Sequence, residues 1–130
     1  MCMKKFFTLI SVALYFTTTA FLPISGIDDV INALRAGNAA EVSKYMDDNV
    51  ELTLPQKSDS YSKAQAIMIL RDFFTNNNVT GFETKHKGDN SGNQYCIGTL
   101  RTRSGDYRTT VFMKTKNGRQ SVKEIRFQPS

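Results

Sequence analysis

Hydrophobic positions change period once along the chain. Before Asn78 they recur mostly at helical spacing, and after it they alternate. Ile27, Val30, Ile31 and Leu34 sit at i, i+3, i+4 and i+7 and predict an amphipathic helix. Asp28 and Asp29 lie in its first turn, where the helix dipole favours negative charge, and Gly37 stops it. Asn38-Ala39-Ala40-Glu41 reads as a cap opening a second helix, with Val42, Tyr45 and Met46 on its buried edge. Asp47-Asp48-Asn49 reads as a turn. Val50, Leu52 and Leu54 alternate with Glu51 and Thr53 and predict a half-buried strand that Pro55 ends. Gln56 to Ser60 then reads as a polar loop.

A third helix organises the rest. Ser62-Lys63-Ala64-Gln65 fits a capping box. Ala66, Ile67, Ile69, Leu70, Phe73 and Phe74 cover an arc of about 160° at about 100° per residue, wide enough to face a curved partner surface. Asn76-Asn77-Asn78 ends it, because Asn tolerates the left-handed conformation of helix ends. Four alternating runs follow: Phe82 to Lys87, Gln94 to Arg103, Tyr107 to Lys116 and Gln120 to Phe127. Gly88 to Gly92, Ser104-Gly105-Asp106 and Asn117-Gly118 join them, and Asn-Gly between alternating runs is a strong hairpin signal. Helices followed by an antiparallel meander define an α+β domain.

The N-terminus departs from this pattern. Lys4 and Lys5 precede an apolar run from Phe6 to Phe16, and Thr18-Thr19-Ala20 supplies small residues for cleavage. This is a signal-peptide layout over residues 1–20, with cleavage as late as residue 26, and it predicts a periplasmic or secreted protein. An uncleaved anchor is the competing reading, because Phe6 to Ile24 is close to spanning length. Cleavage leaves one domain, residues 26–128, with no stable membrane insertion. It also leaves Cys96 as the single cysteine, so no intrachain disulfide forms, and a buried thiol is expected there.

The 130 residues carry 17 basic and 12 acidic side chains, a net charge of +5. The excess lies in the C-terminal half: 5 basic and 8 acidic residues span Gly26 to Phe82, against 10 and 4 from Glu83 onward. No nucleic-acid motif accompanies the basic half, and a solvated strand face accounts for it, so nucleic acid is not expected as a partner. Metal-binding Cys/His spacing, a P-loop and a dinucleotide glycine motif are all missing, so no metal or cofactor is expected.

Strict alternation assigns the strand faces. Glu83, Lys85 and Lys87 form a charged outer face, which turns Phe82, Thr84 and His86 inward. Tyr107, Thr109, Val111 and Met113 are the inward set on the third run, and Ile125 and Phe127 on the last. On the second run Tyr95, Ile97 and Thr99 compete with Cys96, Gly98 and Leu100. Phe112 and Val122 fall on the outer face.

The order helix, helix, short strand, helix, four-stranded meander resembles the nuclear transport factor 2-like fold, also called cystatin-like, in which a bent sheet wraps a long helix into a cone. Leu52-Thr53-Leu54-Pro55, Tyr61-Ser62-Lys63-Ala64-Gln65-Ala66, Asp72-Phe73-Phe74 and Ile97-Gly98-Thr99-Leu100 are similar to a small family of exported Bacteroidetes proteins known only as a domain of unknown function. The similarity runs from Gly26 to Gln128 and implies no catalytic residues. Enzymes of this fold, such as the ketosteroid isomerases, carry a carboxylate base in the cone, and no Asp or Glu falls on the inward faces assigned above.

The expected function is therefore an exported, non-catalytic binding domain. It would hold a small apolar ligand or peptide between helix and sheet, against Phe74, Phe82, His86, Tyr107 and Met113. A second expectation is a protein–protein module of the cell envelope, a homodimer formed through the outer sheet face at Phe112 and Val122. A third is a small-molecule enzyme using His86 as base and Tyr107 as donor.

Overall fold

A computed structural model describes residues 26–130. The signal-peptide expectation and Cys2 lie outside the described residues. The third helix, α3 (Lys63–Asn77), forms as its capping residues dictate. Ser62 Oγ accepts a hydrogen bond from the Gln65 N–H at 3.3 Å, satisfying a donor that the first turn leaves open. At the other end Asn78 adopts the left-handed conformation (φ 56°) and its N–H closes on the Phe74 carbonyl. Ala66, Leu70, Phe73 and Phe74 are buried, Ile67 and Ile69 half-buried, and Met68 is exposed. Helices α1 (Gly26–Ala36) and α2 (Ala39–Ser43) precede it. Asn38 caps α2 by accepting from the Glu41 N–H at 3.1 Å.

Six strands form one sheet in the order β2-β1-β6-β5-β4-β3. They are β1 (Met46–Leu54), β2 (Lys57–Ser62), β3 (Val79–Asn90), β4 (Asn93–Thr102), β5 (Gly105–Lys116) and β6 (Arg119–Pro129). The last four make the expected antiparallel meander. Two features correct the sequence expectation. The segment read as a polar loop forms β2, paired antiparallel with β1 across a two-residue Pro55-Gln56 turn. It carries no alternation because it is an edge strand, polar on both sides, with only Tyr61 half-buried opposite Val50. A polar edge also resists pairing with another chain. Second, β1 runs parallel to β6, with Leu52 opposite Ile125, so the sheet is mixed. Strand β1 starts at Met46, and the Asp47-Asp48-Asn49 segment is strand rather than turn.

The core lies between the helices and the concave face of the sheet. Val30 and Leu34 of α1, Leu70 of α3, Leu52, Leu100, Val111, Met113, Ile125 and Phe127 are fully enclosed. On β4 the inward set is Cys96, Gly98 and Leu100. Gly98 is required there: a Cβ would strike the Glu83 carbonyl oxygen and come within 2.6 Å of the Phe82 ring. Burial pushes the Cys96 thiol up to about 11, as a charged thiolate is disfavoured away from water.

Candidate functional site

Two bulges decide which residues reach the cone. On β3, Thr84 stands opposite Gly98 but His86 stands opposite Ile97, so Lys85 is the extra residue and the alternation reverses after it. His86 is therefore exposed on the outer face, which corrects its inward assignment. Its Nε2 lies 3.0 Å from the Tyr95 hydroxyl, and the Tyr95 ring crosses Gly88. Lys87 is turned inward at the rim, where its Nζ donates to Asp28 Oδ1 of α1 at 2.6 Å. On β6 the register shifts between the Phe112–Glu124 and Met113–Val122 pairs, leaving Lys123 as the extra residue. Val122 is consequently buried beside Met113, which corrects its outer-face assignment. Phe112 remains on the outer face, half-buried, opposite Tyr95 and Glu124.

The residues expected to share a ligand cavity separate accordingly. Phe74, Phe82 and Met113 are buried parts of the packed core. Phe73 fills the space between helix and sheet, its ring centroid 4.8 Å from that of Phe127 and 5.2 Å from that of Tyr107. His86 is outside. Of the five, Phe74 edges a groove beside α2, and Tyr107 lines another at the end of α3. His86 and Tyr107 lie on opposite faces of the sheet and cannot act together as base and donor.

The groove beside Tyr107, 590 Å³ in volume, opens at the mouth of the cone where α3 ends. Leu54, Ile69, Phe73 and Tyr107 give it an apolar floor, and Asp72 and Asp106 stand among its polar residues. Its geometry follows from the Asn run that ends α3. Asn77 Nδ2 donates to the Phe73 carbonyl at 2.8 Å, and Asn77 Oδ1 accepts from the Tyr107 hydroxyl at 3.0 Å. The Arg103 N–H donates to the carbonyls of Asn77 and Asn78, both at 3.0 Å, tying the β4–β5 turn to the helix end. Arg101 Nη1 donates to Asp106 Oδ2 at 3.0 Å and holds that carboxylate at the rim. Leu54, Ile69 and Asn77 were not expected as site residues. Leu54-Pro55 signalled only a strand end, Ile69 only a helix stripe, and Asn77 only a stop.

The volume lies within the range of small-molecule sites, about 300–1,000 Å³. Its lining combines this apolar floor with the carboxylates of Asp72 and Asp106 and includes no histidine or cysteine. Among the described residues no group of His, Cys, Asp and Glu is arranged to hold a metal ion.

Comparison with known proteins agrees with this fold. Residues 27–128 match the family described as Domain of unknown function (DUF4783). A DUF4783 family protein from Bacteroides ovatus is 34% identical, with a TM-score of 0.76 over 78% of this chain and 93% of that one. Another from Bacteroides fragilis is 28% identical, with a TM-score of 0.75 over 85% of this chain and 100% of that one. An NTF2-like protein of unknown function from Cytophaga hutchinsonii shares the fold at 9% identity, with a TM-score of 0.60 over 84% of this chain and 93% of that one. Comparison with curated proteins found no match. With the family match spanning nearly all the described residues, and helices packed on a curved sheet of NTF2-like form, the chain belongs to the DUF4783 family.

Proposed function

We propose that this protein is an exported, non-catalytic binding domain that takes an apolar group, of a small molecule or a peptide side chain, at the mouth of its cone. One observation carries this reading. The interior is filled by Phe73, Phe74 and Phe127, while Ile69 and Tyr107 remain half-buried on the floor of the open groove. Half-buried apolar side chains inside a concavity gain burial when a ligand covers them, at about 25 cal/mol per Å². Asn76, Asn77 and Asp72 at the rim supply the polar groups that orient a ligand. The leader pattern of Lys4, Lys5 and the run from Phe6 to Phe16 supports export.

Indole and decanoate serve as probes. Titrated into isotopically labelled protein, they should shift the NMR signals of Ile69, Phe73 and Tyr107. Ile69→Glu should weaken that binding by about tenfold or more, because it places a charge on the apolar floor. Shifts confined to other parts of the molecule would sink the reading.

A second reading has its own support. Tyr95, Ile97 and Phe112 form a half-buried strip on the outer sheet face, rimmed by Glu51, Arg108 and Lys114. A second copy of the chain packing there would cover this strip, with Tyr95 and Ile97 taking the place first expected for Val122.

A further inference from the structure

The groove beside α2 differs in chemistry from the one at the mouth. It has a volume of 600 Å³ and is lined by the start of α2 and the last turns of α3. The two grooves stand on either side of the helix end: Phe73 lines the first and Phe74 the second, with ring centroids 6.3 Å apart. Their charges are opposed. Asp72 lines the mouth groove, whereas its neighbour Arg71 lines this one.

The backbone builds the floor. Helix α1 closes on Gly37, whose φ of 65° is a left-handed value that glycine adopts without strain. The Gly37 and Asn38 N–H groups donate to the Leu34 and Ala33 carbonyls at 3.0 and 2.9 Å. A Cβ at residue 37 would lie 2.9 Å from the Val79 Cβ, so the bare glycine lets the chain rest against β3. Around it Ala36, Ala39 and Ala40 present only methyl groups, and with Phe74 and Val79 they make an apolar floor. Ala36 and Ala40 are exposed and Val79 is half-buried, so a ligand that covers them gains burial.

Arg71 is the only ionisable residue in this lining. It is exposed and forms no ion pair within the described residues. Flanking charges leave it unneutralised. Glu41, next to Ala40, is paired with Lys44 at 2.7 Å. Arg35, next to Ala36, bonds Asn32 at 2.8 Å and adds positive charge. Asn38 adds a donor of fixed orientation: its Oδ1 is committed to the Glu41 N–H as the cap of α2, which leaves its Nδ2 to donate. Thr75 brings a hydroxyl one turn after Arg71 on the same side of α3.

We propose that this groove is a second binding site, for a small monocarboxylic acid with an apolar tail. The Arg71 guanidinium takes the carboxylate in the forked geometry that suits the two groups, and the tail lies over the alanines and Val79. The site does not depend on the mouth groove having a ligand.

The probes are 4-phenylbutanoate and its neutral amide, 4-phenylbutanamide, which share one shape and differ in charge. Titrated into isotopically labelled full-length protein, the acid should shift the NMR signals of Ala39, Ala40 and Val79. It should bind about fivefold more tightly than the amide at low ionic strength, and salt should shrink that advantage. Arg71→Gln keeps a good helix former at an exposed position, so the fold survives, and it should erase the advantage. Arg35→Gln removes the same charge outside the groove and should keep it. The mouth groove reports separately through Ile69 and Tyr107, so Ile69→Glu should leave the shifts at Ala39 and Ala40 in place. Equal affinity for acid and amide, or equal loss in both arginine variants, overturns the proposal. So do shifts confined to Ile69 and Tyr107. Inorganic phosphate competing as well as the acid itself would mark a site for small anions and overturns it too.

Discussion

Phe127 and Phe112 sit on neighbouring strands and differ in everything that follows from the face they take. Phe127 points into the cone, fully buried, with Phe73 and Phe74 against its ring. Phe112 points out, half-buried, flanked by Tyr95 and Glu124 on the adjacent strands. The same side chain is a keystone of packing in one place and a half-buried surface residue in the other. Residue type alone therefore says little about energetic weight in this sheet. Cys96 and Tyr95 repeat the contrast on β4: the thiol is sealed in the core, whereas the phenol meets His86 in solvent.

The largest effect should come from the inner face. Phe127→Ala removes a ring from the centre of an aromatic cluster and should cost about 3–5 kcal/mol in a denaturant melt. A loss below about 1 kcal/mol would mean that the cluster relaxes around the gap, and the contrast between the faces would largely disappear.

Cys96 gives an intermediate effect that depends on pH. Its folded-state thiol titrates near 11, against 9.0 for the ordinary group, because burial disfavours the thiolate. Between these values the unfolded chain sheds a proton that the native state keeps, so stability falls as pH rises. The slope is at most about 1.4 kcal/mol per pH unit, or about 2–3 kcal/mol across the window. Comparing wild type with Cys96→Ala by denaturant melts at successive pH values isolates this thiol from the lysines and tyrosines that titrate nearby. Parallel profiles for the two proteins would show that the thiol ionises as readily folded as unfolded.

The smallest effect on the fold should come from the outer face. Phe112→Glu should change monomer stability by no more than about 0.5 kcal/mol, as the new carboxylate remains in water. Its consequence is for assembly. If a second copy covers the strip, the substitution sets like charges across a symmetric contact and converts dimer to monomer in sedimentation. Wild-type protein that sediments as a monomer throughout a concentration series would remove the dimer reading and leave the stability comparison intact.

Much of this fold was legible because local chemistry dictated it. Ser62 and Asn38 capped the helices that their positions announced, and Asn78 took the left-handed turn that Asn tolerates. The Asn117-Gly118 hairpin and the alternation of Tyr107, Thr109 and Val111 fixed β5 and its inner face without help from the rest of the chain. Each of these signals depends on neighbours within a few residues. The candidate site was harder to read, because Leu54, Ile69 and Tyr107 come from three distant segments and meet only when the sheet curls over the end of α3.

The tertiary structure decided the rest for an identifiable reason. A β-bulge inserts one residue and puts the alternation on its two sides out of step, and no local pattern marks where it falls. At Lys85 that shift moved His86 out of the cone. At Lys123 it moved Val122 into it. The polar segment of β2 became a strand only because β1 offered it a row of backbone partners. Sequence alone determined which residues make helices and alternating strands. The pairing of strands across the sheet determined which of those residues face the core, the groove or the solvent, because facing is set by hydrogen-bond register with a neighbouring strand.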